Sequence, residues 1–262
     1  MSRIHPSAVV DPAAEIGADT EIGPFCVIGP DVRIGAGSRL IAHVSIEGPS
    51  VVGEDAVIHP FAVIGGAPQD VRYHDECTEL RIGPRAVIRE HATVHRGTPG
   101  GRGVTVIGAD CHLMVGAHVA HDARIGDHVT FVNNATIGGH VTIGDHVILG
   151  GLSAVHQHCR IGRHAFVAGM GVAVQDVIPF AMVARGGVLS GLNLVGLKRR
   201  GFSRNDIAEL RGAYRMLFAR EGTFKERLED AARLYRDKPL VEEILAFAQA
   251  ASARGVLGPA GD

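Results

Sequence analysis

Tryptophan is absent from the 262 residues, and aromatic side chains of all kinds make up only 5%. Large rings usually supply much of a core's buried area. A chain that is 46% hydrophobic without them must fill a narrow interior with aliphatic and small side chains. Long apolar runs are also missing. No stretch approaches the roughly 18 residues a membrane-spanning helix requires, and no secretory leader opens the sequence. The chain is therefore expected to be soluble and cytoplasmic, without stable membrane insertion. Cysteine is scarce, with four residues whose spacing matches neither a zinc motif nor a disulfide framework. A net charge of −2 marks no overall polyelectrolyte character.

What the chain has in abundance is a period of six. Isoleucine, valine or leucine stands at positions 4, 10, 16, 22, 28, 34, 40, 46, 52, 58 and 64, with a mostly small partner four residues after each, from Ala8 to Ala62. Neither an α-helix nor an ordinary strand has that period. A chain turning a corner every six residues does, because each flat takes one bulky and one small inward residue. Ile82, Ile88 and Val94 keep the phase, and Ile107 to Val167 resume it after a one-residue slip. Cys26, Cys111 and Cys159 fall in the small slot, whereas Cys77 falls in a loop. Glycines 17, 23, 29, 35 and 53 directly follow an aliphatic residue, where a corner calls for tight or left-handed backbone. The pattern specifies a hexapeptide-repeat parallel β-helix of about ten coils, on the order of 45–50 Å tall at the spacing of adjacent strands.

Two polar, turn-rich stretches interrupt the repeat: GGAPQDVRYHDECTELR at 65–81 and GTPGGRGV at 97–104. Loops thrown from a rigid scaffold are where binding sites gather. The β-helix is expected over 1–184, a connection over 185–202 and a helical domain over 203–262. Ser203 and Asp206 offer a helix N-cap, Thr223 caps a second segment and Pro239 opens a third. The tail VLGPAGD reads as frayed. Residues 198–236 hold eleven Lys/Arg against six Asp/Glu, a local +5. This is a solvated face or a docking surface for an acidic partner. No aromatic residues interleave for base stacking, so nucleic acid is not the expected partner.

Fifteen histidines need sorting. His128, His140, His146, His158 and His164 share the outward slot three residues after the aliphatic, as polar corner residues. With eighteen residues per coil, 121 lies beneath 139 and 139 beneath 157. His121, His140 and His156 thus fall within one residue of one column on consecutive coils, with His118 and Asp122 adjoining. A histidine oriented by a carboxylate on an exposed edge suits general-base catalysis, and a histidine cluster also suits a metal. Spacing alone leaves both open, together with an inert surface.

The segments MVGAHVAHDARIG (114–126), FVNNATIGGHVTIGD (131–145), SAVHQHCRIG (153–162), VAVQDVIPF (172–180) and GLKRRGFSR (196–204) closely resemble the UDP-N-acetylglucosamine O-acyltransferase family. The resemblance extends from the IHPSA start through PQDVRY to the helical C-terminus. It implies a left-handed β-helix followed by a small helical domain. The activity it implies opens lipid A synthesis: transfer of a (3R)-3-hydroxyacyl group from acyl carrier protein to the 3-hydroxyl of UDP-N-acetylglucosamine. By the same resemblance His121 is the general base, Asp122 orients it and the Gly139 N–H stabilises the oxyanion. His118, His140 and His156 line the sugar and acyl pocket. Gln69 and Arg72, the latter in place of the family's common lysine, contact the sugar nucleotide, as do Asn193 and Arg199. Gly169 is the acyl-chain ruler, and a glycine there implies a long chain. No cofactor or metal is implied beyond the acyl carrier protein thioester. The site is implied to lie between subunits of a homotrimer.

Val195 stands where the family tends to carry a glutamate, and RGGVLSGLN (185–193) is one residue short of the family pattern. An acceptor with a 3-amino group is the alternative that Val195 keeps in view. A zinc enzyme like the γ-carbonic anhydrases shares the fold and uses three histidines, but has no need of basic helices after residue 200. A non-catalytic scaffold leaves His121, Asp122 and both loops without a purpose.

Overall fold

The computed structural model describes residues 2–260 and shows a left-handed parallel β-helix capped by helices. Strands of two to four residues stack in parallel into three faces. The first face has ten parallel strands, from Arg3–Ile4 to Ala181–Val183, plus an antiparallel one at Leu189–Leu192. The second face has nine strands, from Val9–Val10 to Val172–Ala173, and the third has eight, from Glu15–Ile16 to Arg160–Ile161. Register steps by eighteen along most of the coil, as in His118↔Thr136 and Thr136↔Ala154, lengthens where the two loops leave, and shortens to sixteen at the last turn, Phe166↔Met182. The bulky residues of the repeat line the axis, with the aliphatic Ile58, Ile88, Leu113 and Leu149 and the aromatic Phe131 all inaccessible to solvent.

The corners divide two tasks between two positions. Glycine directly after the aliphatic residue permits close stacking: a Cβ on Gly23 would fall 1.8 Å from the Ile41 carbonyl oxygen. The left-handed backbone expected there lies two residues further on, at Asp19, Phe25, Asp122, His140 and His158 among others, with φ from 56° to 66°. That slot points outward and carries many of the charged and aromatic side chains.

Segment 185–202 is more than a connection. It holds the strand Leu189–Leu192 and helix α1 (Leu194–Arg199), whose N-cap is Asn193. Helix α2 (Arg204–Leu217) starts at a capping box between Ser203 and Asp206, and α3 (Phe224–Leu234) at one between Thr223 and Glu226. Helix α4 (Pro239–Gln249) begins at its proline. Ile207, Leu210, Ala213 and Leu217 form the buried face of α2, which packs on α3, α4 and the strand at 189–192. The tail is not frayed over its described part. Val256 bridges Asp176, Pro259 bridges Leu189, and Leu257 is buried. Positions 261 and 262 lie outside the described residues. No helix among the described residues is long and apolar enough to cross a membrane.

Candidate active site

The corner between the second and third faces brings together His121, Asp122 and His140. Asp122 occupies the left-handed slot after Val119, and its side chain is wholly buried. Its carboxylate accepts from His121 Nδ1 at 2.8 Å, from Thr98 Oγ1 at 2.7 Å, from the Thr98 N–H at 3.1 Å on both oxygens and from the Arg102 N–H at 2.7 Å. Burial alone would raise its pKa. The bonds from His121, Thr98 and Arg102 prevail and hold it well below the usual carboxylate range. Asp122 is therefore ionised and can only accept, so the proton of the His121 contact sits on Nδ1. In the neutral imidazole that tautomer puts the lone pair on Nε2.

The His121 ring lies over the Gly139 backbone. A Cβ on Gly139 would fall 2.5 Å from Cε1 and 2.6 Å from Nε2. The flanking Gly138 and His140 amides donate to Val155 and His121, whereas among the described residues the Gly139 N–H meets no protein acceptor. The His121 imidazole and an unused amide thus lie against each other at one corner, on adjacent coils. His140 packs edge-on to His121 with centroids 5.1 Å apart, and its Nε2 is 3.8 Å from Asp122 Oδ2. Burial is the main reason its pKa is lowered, so it is neutral near pH 7.

Other expected residues are arranged differently. His158, rather than His156, stacks on His140 at 4.5 Å. His156 lies two coils beyond His121, about 10 Å along the axis, with Gly138 and Gly139 on the coil between; it is exposed and its Nδ1 bonds the Gln157 carbonyl. His118 bonds Thr93 Oγ1 at 2.7 Å on the second face, and burial lowers its pKa. Gln69 and Arg72 are exposed on the first loop, where Arg72 grips Asp70 with two bonds, at 3.0 and 2.8 Å. That pairing holds Asp70 far below the usual carboxylate range.

Asn193 and Arg199 line a cavity of about 650 Å³ over the first face, with Ile148, Phe166, Met182 and Val195. Arg211 and Arg215 also border it. The Asn193 amide is engaged as a cap, accepting from the Gly196 N–H and donating to the His164 carbonyl. The first face is opposite the corner that carries His121, so one chain does not bring these two groups together. Gly169 has room above it: the nearest atom to a built Cβ is the Gly151 carbonyl oxygen, at 3.4 Å.

A curated relative from Caulobacter vibrioides, named acyl-[acyl-carrier-protein]–UDP-N-acetylglucosamine O-acyltransferase, is 56% identical over 245 residues, 93% of each chain. The chain belongs to the UDP-N-acetylglucosamine O-acyltransferase family. The family pattern "Udp N-acetylglucosamine O-acyltransferase; Domain 2" matches residues 176–257, and a bacterial transferase hexapeptide pattern matches 105–139. The structure of a UDP-N-acetylglucosamine acyltransferase from Francisella novicida superposes with a TM-score of 0.94 at 36% identity, covering 97% of this chain and 94% of that one. One from Campylobacter jejuni superposes with a TM-score of 0.92 at 32% identity, covering 98% and 100%. The protein is an acyltransferase.

Four residues of the candidate site escaped the reading of the sequence. Thr98, Gly101 and Arg102 contact Asp122 from the loop after the 93–95 strand, a proximity that repeat spacing cannot show. His95 is buried against His118, its Nδ1 without a partner, and its pKa is pushed down to about 4 by burial and then by His118 and His121. Its sequence signal was available, since position 95 directly follows a repeat aliphatic, as His156 does.

Proposed function

We propose that this acyltransferase moves a (3R)-3-hydroxyacyl group from acyl carrier protein to the 3-hydroxyl of UDP-N-acetylglucosamine, with His121 as general base, at the opening of lipid A synthesis. The observation that carries the mechanism is the His121–Asp122 bond, which leaves a basic Nε2 over the Gly139 turn. His121 Nε2 takes the proton from the sugar hydroxyl as its oxygen attacks the thioester carbonyl. The Gly139 N–H faces the oxygen on which negative charge develops. Collapse expels the thiolate, which recovers the proton from His121. A thioester is already activated, so this route requires no covalent enzyme intermediate.

A cation held by His121, Asp122 and His140 is the rival that geometry raises, since their ligand atoms lie within 4.8 Å of one another. The donor set argues against it. Both Asp122 oxygens already accept two or three hydrogen bonds, and His121 Nδ1 is committed to one of them.

The separation of the His121 corner from the Asn193–Arg199 cavity supports a site completed by a neighbouring subunit of a homotrimer. So does an uncovered apolar stripe along the second face and its edge with the first: Val9, Phe25, Val27, Phe61, Leu152, Met170 and Val172 are all exposed. Arg204, Arg211, Arg215 and Lys225 are exposed on α2 and α3 and suit an acidic acyl carrier protein. A cytoplasmic location follows from that donor. The room at Gly169 suits a long acyl chain.

Val195 is 61% exposed at the rim of the cavity, where it offers no carboxylate to a sugar nucleotide. It keeps a 3-amino acceptor as the second reading. Transfer from 3-hydroxyacyl carrier protein to UDP-N-acetylglucosamine, compared with its 3-amino analogue, tests the assignment. No transfer to the hydroxyl acceptor with any donor length would overturn it.

A further inference from the structure

The slot that holds Asp122 recurs on other coils, often with the same residue type. Asp19, Asp31, Asp55 and Asp110 sit there with φ of 54–56°, against 59° for Asp122. The first three are exposed and Asp110 is partly so, whereas Asp122 is wholly buried. The repeat does not cause this burial. The loop that leaves the coil after His95 and returns at Val104 does, by leaning one coil upward onto the carboxylate.

Its contacts are specific. The Thr98 N–H and hydroxyl and the Arg102 N–H all donate to Asp122. Arg102 Nη1 donates to the Asp122 carbonyl at 2.7 Å, and Nη2 to Thr142 Oγ1 at 3.2 Å, which straps the loop across the third face. Gly101 passes so close that a built Cβ would fall 2.6 Å from the carboxylate carbon and both its oxygens. The phase slip between Val94 and Ile107 thus brings three donors to one carboxylate that would otherwise face solvent.

We infer that Thr98 is a positioning residue for acyl transfer, its hydroxyl fixing the Asp122 carboxylate that orients His121. The inference rests on the reading of His121 as the base. The hydroxyl binds Oδ2, the same oxygen that receives His121 Nδ1–H, so the two bonds set the carboxylate's rotation together. Without it Oδ2 loses its shortest donor, and only the Thr98 and Arg102 backbone N–H groups are left to set the rotation on which the imidazole depends. Thr98 is buried beneath its own loop and has no route to substrate, so its effect must appear in turnover rather than in binding.

The test is steady-state acyl transfer by Thr98→Val, Thr98→Ala and Thr98→Ser, with His121→Ala alongside and the folded fraction of each followed by circular dichroism. Removing one hydrogen bond to a charged group is expected to lower kcat roughly tenfold in Thr98→Val and Thr98→Ala. KM for both substrates should stay within about twofold, and Thr98→Ser should restore kcat to within about threefold of the parent. A merely structural role would lower the folded fraction without this split between kcat and KM. Unchanged kcat in both hydroxyl-free variants, or equal loss in Thr98→Ser, overturns the inference while His121→Ala remains inactive. Full activity in His121→Ala overturns instead the general-base reading on which it rests.

Discussion

Replacing Gly139 by alanine isolates the position of His121 from everything else in the site. The backbone at 139 is not in the left-handed region, so alanine meets no conformational penalty there. Its methyl group would lie 2.5 Å from Cε1 and 2.6 Å from Nε2 of His121, where ordinary contact begins near 3.4 Å. The ring must therefore retreat by about 1 Å, against the 2.8 Å bond to a carboxylate that is itself immobilised. Misplacing a catalytic group by that much costs about a hundredfold in rate, equivalent to roughly 2.7 kcal/mol of barrier. The cost in stability is smaller, on the order of 1 kcal/mol, the low end for an added methyl group, because it displaces one side chain that is not fully buried. Initial rates of acyl transfer, alongside thermal unfolding, separate the two. Gly258→Ala, where a built Cβ meets nothing within 4 Å, is the control and should behave as the parent does. Gly139→Ala turning over within threefold of the parent would refute the coupling between the place of His121 and the chemistry.

Asp122→Asn is expected to lower kcat by roughly 10²–10⁴ while largely sparing KM, because an amide can hold His121 in the wrong tautomer; rates and a binding isotherm for the sugar nucleotide check this. His95 and His164, both buried, have pKa values pushed down to about 4 by burial first. Each takes up its proton in the unfolded chain near the ordinary histidine value of about 6.5 but resists it when folded. Their stabilisation is thus present above that value and lost as pH falls toward 4, by up to about 3 kcal/mol each. His164→Phe, which continues the stack with Phe180, should flatten the slope of denaturant stability between pH 6.5 and 4. A slope unchanged from the parent contradicts the argument. Asp176→Ala leaves the Arg160 guanidinium without its 2.7 Å partner and the Arg160 N–H without its 2.7 Å acceptor, and should cost about 3–5 kcal/mol by chemical denaturation.

The coil was legible because its period of six holds over residues 4–64 and again over 107–167, with one chemistry per slot. Ile58, Ile88 and Leu113 needed only counting. The Ser203 and Thr223 caps were legible for the same local reason: a cap is a bond between residues three apart. The donor cradle of Asp122 was not, since Thr98 and Arg102 reach it through a loop whose path no periodicity describes. His156 illustrates the limit of counting columns. Two residues of offset decide whether a side chain stacks on its neighbour, as His158 does on His140, or bends back to its own turn, as His156 does. The tail was misread because Gly, Pro and Ala in VLGPAGD signal irregular backbone, and irregular backbone can still be paired. Leu257 and the bridge to Asp176 hold it, contacts between positions some eighty residues apart.

The central claim is that His121, oriented by Asp122, removes the proton from the acceptor hydroxyl. Its most direct test is the rate of acyl transfer to UDP-N-acetylglucosamine under single-turnover conditions, for the parent and His121→Ala at equal folded concentration. General-base catalysis is worth roughly 10²–10⁴ in rate, so a fall of that size is expected, with sugar-nucleotide binding retained. Transfer by His121→Ala at the parent's rate would contradict the account.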